Sequence, residues 1–262
     1  MLHLFRIKTA SLKQRGKTAQ NARSLRSIEQ GAILIEIANK NLWFLFEIFG
    51  ERIYVTETMR STWIVSAVLI AFAFFVRHKV KSFTDKPKGF QNAIETMVEM
   101  ISNLVRDTMG EKLEYFGGYF FSVFTFILVS NYVGILGLRP PTTDLSTTVP
   151  LALMTFFMIH YMGMTKQKGK YFKEYLQPIF LFLPLNIIGE FARPVSLAFR
   201  LFGNILGGLI ILQLMYSMLP FVARFVLPIP AHGLFDFFAG GLQAFVFTIL
   251  SMTFIKLRSA AD

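Results

Sequence analysis

Cysteine is absent from this 262-residue chain. That removes disulfide frameworks, thiolate metal sites, iron–sulfur clusters and cysteine nucleophiles together. Histidine is scarce: His3, His78, His160 and His232 share no helical face, which argues against a bundle-core haem with two histidine ligands. Charge is thin as well. Charged residues make up 16% of the chain, against about 25% in an ordinary soluble domain. Acids are the scarcer sign, with 16 Asp and Glu against 27 Lys and Arg, for a net charge of +11. Such a balance could suit a nucleic-acid binder. However, the chain is 53% hydrophobic with a mean hydropathy of +0.50, and its apolar residues fall in long blocks between short charged loops. That is the pattern of a multi-pass membrane protein. The basic residues therefore read as positive-inside loops rather than a phosphate-binding face, and no nucleic-acid partner is expected.

Along the chain, residues 1–30 stand apart. Arg6, Lys8, Lys13, Arg15, Lys17, Arg23 and Arg26 all precede the first acid, Glu29. This composition fits a basic tail, a surface-lying helix or an organelle transit peptide. Residues 31–50 are partly apolar but hold Glu36, Asn39, Lys40, Asn41 and Glu47, too costly a set for a span, so an interfacial segment is expected. Residues 1–50 thus read as an N-terminal extension and 51–262 as the membrane-embedded domain.

The first transmembrane helix is expected from about Thr62 to Val76, flanked by basic residues. Residues 86–109 place Phe90, Ile94, Met97, Val98, Ile101, Leu104 and Val105 at helical spacing among Glu95, Glu99 and Arg106. This predicts an amphipathic surface helix. The uncharged stretch Tyr115–Leu138 is the clearest span, and a Pro140–Pro141 turn leads to a second, about Thr148 to Met164. Pro178–Leu219 has 42 residues, about 63 Å if helical throughout, twice the ~30 Å hydrocarbon thickness. It is either two short crossings or one steeply tilted helix. The last segment runs from about Ile229 to Lys256. Lys and Arg cluster in the 77–88 and 166–173 loops and at the C-terminus, which places these on the cytoplasmic side. One crossing by Pro178–Leu219 then puts the N-terminus outside, in conflict with its seven basic residues.

Polar groups inside the two long segments are the candidates for function. With Asn186 at zero on a helical wheel, Glu190 falls near about +40°, Arg193 near −20°, Arg200 near −40° and Asn204 near 0°. These strongly polar residues share one arc, which must line water, another helix or an ion path rather than lipid. On the last segment His232, Asp236, Gly240 and Gln243 form a second seam. Arg200 stands out because a guanidinium is a fixed cation, not a proton carrier. Burying it costs about 2.5–3.5 kcal/mol on insertion scales. Arg193, at i+3, is the expected partner of Glu190. For Arg200, either Asp236 across the helices or a group on another subunit could serve. Gly203, Gly207 and Gly208 would let a neighbouring helix approach closely.

The run PLNIIGEFARPVSLAFRLFGNILGG (184–208) closely resembles the fifth helix of subunit a of F-type ATP synthases. LQAFVFTIL (242–250) resembles the sixth helix of that subunit, and NYVGILGLRPPTTDLSTTVPLAL (131–153) its hairpin and extracytoplasmic turn. Order and spacing match from about residue 50 to 258. The resemblance implies an all-α integral membrane protein: an N-terminal transmembrane helix, an amphipathic surface helix, a transmembrane hairpin and two long tilted helices. It implies a non-catalytic stator subunit facing a rotating c-ring, with peripheral-stalk subunit b, the lipid bilayer and the transported H+ or Na+ as partners, and no cofactor. Arg200 corresponds to the family's essential arginine, between two aqueous half-channels. Asn204 and Gln243 match positions near it; Asp236, Glu190, Asn186, His232 and Asp144 are further ion-path or half-channel candidates. Two departures stand out. Leu209 occupies the position where some members carry a glutamate, and Asp236 the position of a histidine, as though the acid had moved between neighbouring helices.

A secondary transporter or channel with a polar midplane site is the alternative class, but no internal repeat accompanies it. A redox-complex anchor is disfavoured by the cysteine and histidine counts. The expected location is the cell membrane, with the mitochondrial inner membrane as the alternative raised by the basic N-terminus.

Overall fold

The computed structural model describes residues 43–48, 51–84, 86–167, 171, 180–220 and 223–259. The chain divides into two units, Met1–Glu57 and Thr58–Asp262. In the first, strands β1 (Trp43–Ile48) and β2 (Glu51–Val55) form an antiparallel hairpin that pairs Trp43 with Val55 and Glu47 with Arg52. The sequence suggested an interfacial segment over 31–50 and no strand. Aromatic and β-branched residues dominate WFLFEI and ERIYV, which suits a pleated pair better than a helix. The basic stretch 1–30 lies outside the described residues.

The second unit is all-α, and five of its helical segments are long and apolar enough to cross a membrane. Helix α1 spans Glu57–Val80 and ends in Arg77, His78 and Lys79, cations suited to a helix C-terminus. Helix α2 (Phe90–Met109) is the expected amphipathic element: Ile101, Val105 and Met109 are buried while Glu95, Glu99 and Arg106 are exposed. Gly110, at φ 90°, stops it in a conformation that other residues rarely adopt. Helix α3 (Gly117–Tyr132) is extended by 3-10 turns at both ends into an apolar stretch from Glu111 to Leu136. Helix α4 (Leu145–Gln167) returns.

Helix α5 (Leu183–Met218) is one unbroken helix of 36 residues that runs through Pro194. Of the two readings left open by Pro178–Leu219, the single helix holds. At 1.5 Å per residue it measures about 54 Å, so it crosses the ~30 Å hydrocarbon only at a steep tilt or with its ends outside. The final segment, α6 (Pro228–Ser259), is 32 residues long and contains a π-helical stretch at Gly233–Ala239. One apolar core joins α2, α3, α4 and α6 through residues including Val105, Phe120, Ile159 and Met252. A second joins α3, α4, α5 and α6 through Ile127, Ala152, Leu201 and Phe247. These contacts fix α5 and α6 side by side. Apart from the β1–β2 hairpin the described chain is helical, and it is a multi-pass membrane protein.

Candidate functional site

Arg200 lies near the middle of α5, and its side chain is exposed. Among the described residues it makes no hydrogen bond or ion pair. It faces a groove of about 220 Å³ lined by Ala192, Arg193, Ser196, Leu197, Arg200 and Phe254. One turn further on, Asn204 donates through Nδ2 to Oε1 of Gln243 on α6, at 2.6 Å. Gln243 is buried, and its Nε2 has no partner among the described residues. An unsatisfied buried amide N–H in an apolar setting is costly, so this donor is available to a water or an incoming acceptor. On the Arg200 side of α5 the surface is open. No described atom comes within 4 Å of where a Cβ on Gly203 or Gly207 would stand. Gly208, by contrast, sits against Phe235 of α6, whose Cβ is 3.2 Å from such a position. The small residues thus divide: Gly208 seats α6, and Gly203 and Gly207 leave a bare helix face beside Arg200.

Asp236 does not pair with Arg200. It lies in the π-helical stretch, and the neighbouring Phe235 packs at Gly208, eight residues beyond Arg200 and so about 12 Å along α5. Its Oδ2 is 2.5 Å from Nδ1 of His232, and Nε2 of His232 is 3.0 Å from the hydroxyl of Tyr216 on α5. The carboxylate also rests over Gly134, with Cγ 3.6 Å from where a Cβ would stand, an ordinary contact distance, while Pro140 lies closer at 3.2 Å. The wider π turn also breaks the continuous seam expected along α6, because an extra residue per turn rotates the helix beyond it. Asp236 faces the turn after α3, whereas Gln243 faces α5.

Glu190 is buried and accepts from Nη1 of Arg193 at 3.0 and 3.1 Å, the expected i,i+3 pair. It also accepts from Nη2 of Arg258, which the sequence suggested only as a cytoplasmic marker. Arg258 is itself buried, stacks its guanidinium 5.6 Å over the Tyr171 ring, and through its carbonyl accepts from Nε2 of Gln167 at 2.9 Å. The available signal was periodicity. Arg258 continues the buried face of Gln243, Phe247, Ser251 and Ile255.

Asn186 is half-buried near the start of α5, four residues before Glu190. Asp144 sits in the turn before α4, where Oδ2 accepts from the Thr58 hydroxyl at 2.9 Å and Oδ1 from the Ser146 N–H at 3.0 Å. Burial alone would raise its pKa, but these bonds and the nearby Arg139 outweigh it and hold the carboxyl below its ordinary value of 3.8. Asn131, not singled out from sequence, is fully buried. It donates to the Gly240 carbonyl at 2.8 Å and accepts from Thr142 at 2.7 Å, pinning α6 against α3 just past the π turn.

A family model described as ATP synthase A chain matches residues 59–256. The chain belongs to that family. Two relatives agree over most of the length. The protein named ATP synthase subunit a 2 of Syntrophotalea carbinolica is 37% identical over 204 residues, which is 76% of this chain and 84% of that protein. ATP synthase subunit a 2 of Acaryochloris marina is 35% identical over 222 residues, 84% of this chain and 89% of that protein. Within this A-chain family member, the matched region begins inside α1 and takes in Arg200, Asn204, Asp236 and Gln243. The β1–β2 hairpin falls before it.

Proposed function

We propose that this protein is the ion-translocating stator of an F-type ATP synthase and faces a rotating c-ring across the open side of α5. The observation that carries this reading is Arg200: a permanent cation at mid-helix, exposed, without a described partner, beside a glycine face that another helix could approach. A ring helix carrying a carboxylate would supply the missing partner. The cation would favour the ionised carboxylate as it passes, so the ion leaves there, and its charge would also repel cations that try to leak straight through. The Asn204–Gln243 pair, with the spare Gln243 N–H, supports hydration or orientation of that carboxylate.

Two routes lead toward Arg200. The groove along Ala192, Arg193 and Ser196 supports a half-channel toward the side bearing the basic loops. Tyr216, His232 and Asp236 support the other. Glu190, held by two guanidiniums, fits a fixed anion that braces the first route better than a carrier. Asp144, bonded to Thr58 and Ser146, fits an anchor for the turn between α3 and α4. The proposed coupling ion is H+ or Na+, the peripheral-stalk subunit b is the proposed further partner, and the proposed membrane is that of the cell. The chain contributes no catalytic residue to ATP chemistry in this reading.

The test is ATP-driven ion uptake into inverted vesicles by the assembled complex, comparing wild type with Arg200→Ala. Loss of uptake with assembly intact is expected. Retained uptake would make Arg200 structural and sink the stator mechanism.

A further inference from the structure

Beyond orienting the chain in the membrane, the basic loop between α1 and α2 is built as a ligand site. We propose that it binds the headgroups of acidic phospholipids, with Arg77, Lys79, Lys81, Lys86 and Lys88 as the cations that hold them. The proposal concerns lipid recognition rather than ion translocation and does not rest on the stator reading.

Three features carry it. First, the charge is dense and unspent. Residues 77–88 hold these five Lys and Arg against one acid, Asp85, which lies outside the described residues. All five cations are exposed, and among the described residues their side chains make no hydrogen bond or ion pair. Second, the loop is folded on itself. The Ser82 N–H and hydroxyl both donate to the Lys79 carbonyl, at 2.9 and 2.8 Å, and the Phe83 N–H donates to the Val80 carbonyl at 3.1 Å. Gln91, on the first turn of α2, accepts from the Thr84 N–H at 3.1 Å and donates to the Thr84 carbonyl at 2.7 Å. Backbone and neutral side chains are thus satisfied within the loop, which leaves the cations to an outside partner. Third, the loop lies at headgroup depth. Phe72, Phe74 and Phe75 are exposed in the last turns of α1, and Phe90, Met97 and Val98 form an uncovered apolar stripe on α2. The Phe75 and Phe90 rings meet edge-on at 5.7 Å, which joins the two apolar surfaces. Two lipid-facing surfaces therefore converge on the loop, and its cations stand where hydrocarbon gives way to phosphate.

The acids of α2 do not oppose this. Glu95 accepts from Gln91 at 2.8 Å, and both it and Glu99 lie across the helix from the apolar stripe, on its water side. A lysine ammonium is a compact charge on a flexible stem, so four of them can follow mobile headgroups where a rigid partner would demand one geometry. Each Lys or Arg near an anionic bilayer surface strengthens the attachment about fivefold.

The experiment uses the assembled complex in vesicles of phosphatidylcholine with phosphatidylglycerol as the minor lipid. The chain has no cysteine, so Val80→Cys, half-exposed between Lys79 and Lys81, carries a single photoactivatable label on this subunit. The lipids attached after illumination are identified. With the loop otherwise intact, phosphatidylglycerol should exceed its share of the bilayer several-fold, and the excess should shrink as salt is raised. Changing Lys79, Lys81, Lys86 and Lys88 together to Gln should return it to the bulk ratio, whereas changing the same four to Arg should preserve it. Attachment at the bulk ratio with the lysines present overturns the proposal, as does an excess that survives the four Gln changes. Attachment to a neighbouring protein subunit in place of lipid also overturns it and makes the loop a protein contact. If the Gln variant does not assemble, the salt dependence with the lysines present decides.

Discussion

Replacing Glu190 with leucine removes one anion from between two guanidiniums, and the structure says which of them suffers. The Arg193 side chain is 35% exposed and can turn to water, whereas that of Arg258 is 10% exposed and packed on Tyr171. Removing one partner of a buried pair costs about 3–5 kcal/mol, because a desolvated charge is left uncompensated. The more deeply buried Arg258 should carry the larger share of it, lessened by its other contacts. Arg258→Leu alone should be milder, since both Glu190 oxygens still accept from Arg193; the loss of one charged hydrogen bond and of the ring contact amounts to about 1–2 kcal/mol. The double variant Glu190→Leu/Arg258→Leu removes both buried charges, so the cycle should be non-additive, with the double variant less destabilised than the sum of the two single changes. The assay is unfolding of the purified complex in increasing denaturing detergent, with retention of the subunit followed for each variant. Additive effects, or a Glu190→Leu variant as stable as wild type, would refute the argument that Arg258 depends on Glu190.

Other substitutions separate packing from ion movement. Gly240→Ala places a methyl about where Asn131 Cβ stands 3.1 Å away, so it should destabilise the assembled subunit by about 1–3 kcal/mol, read by the same detergent titration. At Gly207 an added Cβ meets no described atom within 4 Å, so Gly207→Leu projects its side chain from the open face of α5. It should leave the isolated fold unchanged but uncouple ATP hydrolysis from ion uptake; normal coupling would show that this face points elsewhere. The lowered pKa of Asp144 makes its stabilisation fully present above the ordinary carboxyl value of 3.8 and lost as pH falls through the lower folded value. Acid unfolding should therefore become less steep in Asp144→Asn, and an unchanged acid limb would count against the anchor role. With α5 crossing once, cleavage of residues 1–30 by protease added to right-side-out vesicles is the expected result, and protection would place the tail inside, with its seven basic residues obeying the positive-inside rule.

Sequence alone determined the membrane class and the prominence of Arg200, whereas the number of crossings waited on α5 being one helix. The first two each rest on a one-dimensional property: the length of an apolar run, or a charge that lipid will not accept. The Glu190–Arg193 pair was equally legible, because three residues along a helix fix both distance and face. Tertiary structure decided whatever depended on partners far apart in the chain. Asn204 bonds a residue 39 positions away and Glu190 one 68 positions away, separations that no local periodicity encodes. The π turn at Gly233–Ala239 belongs to this second group. It alters the wheel on which Asp236 was placed, taking it from a candidate partner of Arg200 to the carboxylate beside His232. Such a turn widens the helix by one residue without a residue code of its own, and here it is held by packing: Phe235 against Gly208, Asp236 over Gly134, and Asn131 on the Gly240 carbonyl.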